Sequence, residues 1–305
     1  MLRYIAAAAA LKACSLGPGG RAYRTVANTF GERRRIKRGV PPVAVLRANA
    51  FLAMIDRFGL VRQGARVLEV GTGWVHWYGL VLRLAYDVNL DMLDVVDNRQ
   101  LRALRSHFDG ALDRLDIPSG RRGPARACAA AIRAAPSFEA LYEALGARYL
   151  LRPDGDLSGI ADETYDGIFS FHVLEHIRRE DVERTVESYY RIVKPGGFSM
   201  HQIGIDDHLA HYAPRAHPKQ YLAFGDAVWH RVFENRVQYF NRLQRSQWLR
   251  IFRERGFDVR HVDQDVCSLE GLRVAAQYRA LSEMDRACTI LTMVHRKPEA
   301  GRRVG

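Results

Sequence analysis

Apolar positions follow two rhythms along this chain. Short, nearly continuous apolar runs mark buried strands, and stretches where apolar residues recur every third or fourth position mark amphipathic helices. Ala65–Gly73 (A-R-V-L-E-V-G-T-G) is the clearest run, and it predicts a buried strand that stops at a glycine turn. A helix from Trp74 to Ala85 follows it. Leu90–Val96 reads as the second strand, ending in Asp97, and Ala147–Leu151, Tyr165–Phe171 and Phe198–Ile203 read as the third, fourth and fifth. Phe257–Val262 and Thr289–Val294 are the paired last strands, with Leu272–Leu281 as the helix between them. Helical spacing marks Val43–Phe58, with Gly59 as its C-cap, and also Leu101–Leu115, Ala125–Leu145, Asp181–Val193 and Gln247–Glu254, the last capped by Gly256. Residues 1–40 read as a helical, basic lead-in that breaks at Gly17-Pro18-Gly19-Gly20 and ends at Pro41-Pro42. Pro298–Gly305 reads as a frayed tail. Strands alternating with helices point to a mostly parallel sheet covered on both faces.

On this frame the chemistry collects at strand ends. Glycines at 71 and 73 permit positive φ and let a ligand lie against bare backbone. The free N–H groups of the following helix attract a negatively polarised group. Glu69 sits near the carboxyl end of its strand, where open α/β sheets bind ligands. Asp97 stands where an acidic side chain accepts hydrogen bonds from ribose hydroxyls. Further on come S-x-x-V-L-E-H-I, from Ser170 to Ile177, and the K-P-G-G turn of Lys194–Gly197.

Together, in this order, these motifs resemble the class I S-adenosyl-L-methionine-dependent methyltransferases, over roughly Arg66 to Arg296. The chain departs from the commonest pattern at Trp74, where many members carry a third glycine. The resemblance implies a Rossmann-like, seven-stranded, mostly parallel sheet with an antiparallel last strand. It also implies S-adenosyl-L-methionine as cofactor, bound by Glu69, Gly71, Gly73, Asp97 and His172. Asp154 falls where an acidic side chain approaches the adenine amino group; Asp156 is its close rival, and a plain turn residue is an equal reading. The segments L-E-V-G-T-G-W, H-Q-I-G-I-D-D-H and N-R-L-Q-R-S-Q-W-L-R-I-F look like methyltransferases associated with bacterial carbohydrate and polysaccharide biosynthesis.

The 305-residue length suits an N-terminal helical extension over 1–60 and a methyltransferase domain over 61–305. Within the domain, a helical insertion lies at about 118–146 and a lid-like one at about 204–240. No run approaches the ~18 apolar residues of a membrane span, and Tyr4–Leu11 reads as a first helix rather than a leader. The cysteines Cys14, Cys128, Cys267 and Cys288 form no C-x-x-C pair, so a reducing cytoplasm is expected. The net charge of +12 keeps nucleic acid open as an acceptor, although the excess is scattered arginine and no RNA-binding signature appears.

The 204–240 insertion adjoins the fifth strand, and its aromatic and hydrogen-bonding residues suit an acceptor. Gln202, Asp207, His208 and Arg242 are the acceptor-binding candidates. Asp207-His208-x-x-His211 lacks a third partner at diagnostic spacing, so no metal is assigned. His201 and His172, at the ends of the fifth and fourth strands, are candidate bases, His201 slightly preferred; both could equally be scaffold. His176 reads as structural. The expected reaction is methyl transfer to an oxygen or nitrogen nucleophile of a small or glycan-like acceptor. The alternatives are a nucleic-acid acceptor and a cofactor-binding interaction protein without turnover.

Overall fold

The structure, a computed structural model, describes residues 1–15 and 19–299, with the backbone alone over 19–27. The break expected at Gly17-Pro18 and the tail from 300 onward lie outside the described residues. The strands are β1 (Ala65–Val70), β2 (Val88–Asp94), β3 (Ala147–Leu151), β4 (Tyr165–Phe171), β5 (Val193–Gly204), β6 (Asp258–Val266) and β7 (Cys288–Arg296). They form a seven-stranded sheet in the order β3-β2-β1-β4-β5-β7-β6, mostly parallel with antiparallel last strands. The pairs β1–β2, β1–β4 and β2–β3 are parallel, and their register sets Glu69 opposite Met92 on one side and Phe169 on the other. The sheet expected from the sequence is the sheet observed.

Several elements differ from the sequence pattern: the helix expected over Leu101–Leu115 ends at Phe108, the one expected from Trp74 starts at Trp77, and three more differ for a visible reason. β2 ends at Asp94 rather than running on to Val96. The Asp94 carboxylate accepts hydrogen bonds from the N–H groups of Val95 and Val96, which turns the backbone out of the ladder. The helix expected over Ala125–Leu145 is two helices, Arg122–Ala134 and Phe138–Leu145. Pro136 cannot continue the first, and the Ser137 hydroxyl caps the second by accepting from Ala140 N–H. No helix forms over Leu272–Leu281 beyond a short 3-10 turn at Ala276–Tyr278. The Ala275 N–H is committed to the Leu222 carbonyl, and Ser282 starts a helix only at Glu283.

Residues 27–171, 188–200 and 296–299 form one compact unit. Its Pro42–Arg57 helix starts on an extended Pro41 with proline in the first turn, and buries Val45, Ala48, Leu52 and Ile55 as one stripe. Phe51 on the same helix meets Phe169 and Phe171 of β4 at 5.1 and 5.2 Å between ring centroids. Residues 1–15, 19–26, 172–187 and 201–295 form a second unit. There the Leu2–Cys14 helix buries Tyr4, Ala8 and Leu11 in a cluster with Tyr221, Trp229, Phe233 and Phe240. Among the described residues, no helix is long and apolar enough to cross a membrane.

Tyr4 is tied to this unit by more than apolar packing. Its hydroxyl donates to the buried Asp207 carboxylate at 2.6 Å, and burial pushes the Asp207 carboxyl up to about 6. Tyr4→Phe removes the donor while keeping the ring. It is expected to destabilise the protein by about 1–3 kcal/mol, the cost of leaving a buried acceptor unpaired, as read from denaturant midpoints at neutral pH.

Candidate active site

At the end of β1, Gly71 and Gly73 take φ values of 72° and 66°, a conformation that β-carbon-bearing residues adopt only with strain. Both Gly71 and Thr72 donate their N–H to the Leu93 carbonyl, and Gly73 N–H donates to Asp94 Oδ2 at 2.9 Å. The turn is thereby fastened to the end of β2. A Cβ built on Gly73 meets no atom within 4 Å, so the face of the turn is open. Glu69 lies beneath it, 3% exposed, accepting from the Thr72 hydroxyl at 2.7 Å and from the Gly79 backbone. Burial pushes its carboxyl up to about 7 despite these bonds. A side chain on Gly79 would collide with the Glu69 carboxylate, which explains glycine inside the Trp77–Ala85 helix.

Beside Glu69 runs a buried relay. Thr72 spends its only hydroxyl hydrogen on Glu69, so the His76 Nδ1–H must donate to Thr72 Oγ1 (2.8 Å). His76 Nε2 is then left to accept from the Tyr142 hydroxyl at 2.8 Å. Burial, reinforced by the nearby Arg99 cation, pushes the His76 imidazole down to about 3 and keeps it neutral. His76 has φ 48°, and these two bonds hold it there.

The acidic residues stand at places different from the sequence expectation. Asp97 does not end β2; Arg99 binds its carboxylate through the backbone N–H, Nε and a terminal nitrogen. Those bonds draw the Asp97 carboxyl below its usual range. The residue at the strand tip is Asp94. Asp154 is exposed in the loop after β3 and accepts from Asp156 N–H at 3.0 Å.

In the second unit, His172 follows directly on β4 with φ 55°, its side chain about a third exposed and its Nδ1 3.3 Å from Glu175 Oε1. His201 has no exposed surface: its ring lies 5.2 Å from that of Phe252, and burial, with charge repulsion from His295, pushes its pKa well below the usual imidazole value. Gln202 donates to the Thr292 hydroxyl and leaves its buried Oε1 without a partner. Asp207 is occupied by Tyr4 and by Leu209 N–H. Arg242 is buried over the Trp229 ring and bonded to Asp226 and the Tyr278 hydroxyl. His208 is buried against Phe240, and its pKa is pushed down to about 4, chiefly by burial. A cavity of about 550 Å³ is lined by Lys12, His176, Arg178, His230, Glu234 and Arg236, among others.

A family model described as a methyltransferase domain matches residues 45–262, more than half of the chain. The chain belongs to the methyltransferase domain family. Methyltransferase domains of this family use S-adenosyl-L-methionine, and the open glycine turn fits that cofactor. Solved structures with a similar fold include a phosphoethanolamine N-methyltransferase 2 of Haemonchus contortus, solved with S-adenosyl-L-methionine and, separately, with phosphomonomethylethanolamine and S-adenosylhomocysteine. For the first of these, identity is 15%, the TM-score is 0.48, and the match covers 82% of this chain and 53% of that one. This methyltransferase domain therefore spans about half the length of that protein. A Galdieria sulphuraria protein assigned as a sarcosine dimethylglycine methyltransferase matches at 14% identity and TM-score 0.49, over 83% of this chain and 86% of its own. A Methanosarcina mazei S-adenosyl-L-methionine-dependent methyltransferase matches at 12% identity and TM-score 0.45, over 86% and 99%. No curated protein matches the chain.

Several residues of the methyltransferase domain's two units escaped the sequence reading. Asp94 lay inside an expected strand, and its signal was the Asx-type turn it makes with the next two residues. His76 and Tyr142 are 66 positions apart, and no local pattern pairs them. Glu175 and His176 stood in a recognised motif but without a partner, because His208 comes from a distant segment.

Proposed function

We propose that this domain transfers the methyl group of S-adenosyl-L-methionine to an oxygen or nitrogen nucleophile of a small, polar, anionic acceptor, glycan-like acceptors included. The observation that carries this reading is the cavity of the second unit. Its volume suits a small ligand, and its lining includes Lys12, Arg178, Arg236 and two histidines against a single carboxylate, Glu234. The cofactor supplies a reactive sulfonium methyl, so the protein's task is alignment and exclusion of water. In this reading Gly71 and Gly73 form the cofactor's backbone cradle, and Glu69 supports it through Thr72 and Gly79. Asp94 takes the ribose role expected of Asp97, and Asp154 or Asp156 stands by the adenine. Gln202 Oε1 has no partner among the described residues and is left for the acceptor, whereas Asp207 and Arg242 shape the unit that holds it. His172 is the group that takes a proton when the nucleophile is a hydroxyl.

The test supplies labelled cofactor with separate pools of small anionic metabolites, glycans and RNA. Labelling of a small or glycan acceptor is expected, with Arg178→Ala raising the acceptor KM and leaving cofactor affinity unchanged. Labelling confined to RNA, with binding that falls steeply with salt, would replace this reading. On the cofactor side, Asp94→Ala is expected to weaken S-adenosyl-L-methionine binding by about 1.5–3 kcal/mol, the range for hydrogen bonds to a charged group. Asp97→Ala should leave the affinity nearly unchanged. Calorimetry giving the opposite order would return the ribose to Asp97.

A further inference from the structure

In the second unit, Glu175, His176 and His208 each present one ligand atom, and these atoms lie within 4.8 Å of one another. The set is built rather than accidental. Glu175 is 2% exposed, and its Oε1 accepts from Gly204 N–H at 3.0 Å, while its Oε2 is buried without a hydrogen-bond partner. An unpaired buried carboxylate oxygen is costly unless something positive meets it. His176 Nδ1–H donates to the Tyr239 carbonyl at 2.7 Å, which leaves the Nε2 lone pair for a ligand. His208 Nδ1 is likewise buried without a partner. The two imidazoles lie 5.0 Å apart between centroids. Behind them, His211 stacks on His208 at 5.7 Å and is held by Asp206 at 2.6 Å.

We propose that Glu175, His176 and His208 hold a divalent transition-metal ion. Zinc-type bonds of about 2.0–2.2 Å put opposed ligand atoms at most about 4.4 Å apart, so a small rotation of the exposed His176 closes the set. Two imidazoles and one carboxylate suit zinc, manganese, iron(II) or cobalt, and not the all-oxygen preference of magnesium or calcium. Three protein ligands leave open positions, and His176 also lines the cavity of the same unit. Resting on the reading of that cavity as the acceptor's, the ion would polarise an acceptor oxygen and ease loss of its proton.

The test is metal binding by the full chain, with neither cofactor nor acceptor present. A failure here therefore leaves the acceptor reading standing, and a failure of that reading leaves this one standing. Cobalt(II) titration, followed by its ligand-field absorption, and zinc calorimetry are expected to show stoichiometric uptake by the wild type. Glu175→Gln keeps the shape and the acceptor for Gly204, and His208→Ala removes an imidazole. Each is expected to lose affinity by more than the about 10–100-fold typical of removing an outer partner. His261→Ala, on β6, should bind as the wild type. Circular dichroism and S-adenosyl-L-methionine affinity certify folding of each variant. No cobalt or zinc uptake by the wild type would overturn the proposal, as would wild-type affinity in folded Glu175→Gln and His208→Ala.

Discussion

Alanine at His172 is expected to lower the turnover of a hydroxyl acceptor by about 10²–10⁴-fold, the range for removing a positioned general base, with S-adenosyl-L-methionine affinity unchanged. The reason is access. A base must reach the acceptor's proton, and His172 exposes about a third of its side chain beside a carboxylate that can orient it. His201, the other histidine singled out in the sequence, has no exposed atom to offer and rests against Phe252. His201→Ala is expected to act on stability, by about 3–5 kcal/mol as for other buried ring truncations. His201→Phe keeps the ring volume and should retain turnover per folded molecule. Stopped-time assays across pH on both positions decide the matter. Normal turnover in His172→Ala together with loss in folded His201→Phe would reverse the assignment.

Glu69→Gln is expected to flatten the pH dependence of stability. The Glu69 carboxyl titrates near 4.5 when unfolded and is pushed up to about 7 in the folded chain, first by burial. Between these values the folded state keeps a proton that the unfolded state has released. The wild type therefore loses stability as pH rises from about 4.5 to about 7, by roughly 3 kcal/mol in total, and the loss is complete above that window. Glutamine carries no charge to desolvate, so the difference between variant and wild type should grow across the window and stay constant above it. Denaturant midpoints at several pH values measure this directly. A parallel pair of curves would mean that Glu69 keeps its charge at no cost, through bonds stronger than those to Thr72 and Gly79.

The strand and helix pattern was legible because it is local. A run such as Val67–Val70 is apolar because both of its faces are covered, and Gly71 and Gly73 announce positive φ by residue type alone. Boundaries were less legible where a side chain competes with the backbone. Asp94 ended β2 two residues early through its own carboxylate, and with that the acidic strand tip moved away from Asp97. Within the expected Leu272–Leu281 helix, the Ala275 N–H goes to the distant Leu222 carbonyl rather than to a helical partner.

The sequence by itself determined the alternating architecture, the glycine turn and the family resemblance, since each rests on residue type and spacing within a short window. Tertiary structure alone decided how these side chains are buried and paired. His201 is enclosed and Asp207 is paired with Tyr4, two effects that depend on packing partners far along the chain. The fold also brought His208 to Glu175 and His176, across more than 30 positions, and left a buried carboxylate oxygen unpaired among imidazoles. Spacing in sequence carries no information about such a meeting, because chain reversals between the segments set the distance, and only the folded chain fixes the desolvation that each group must bear.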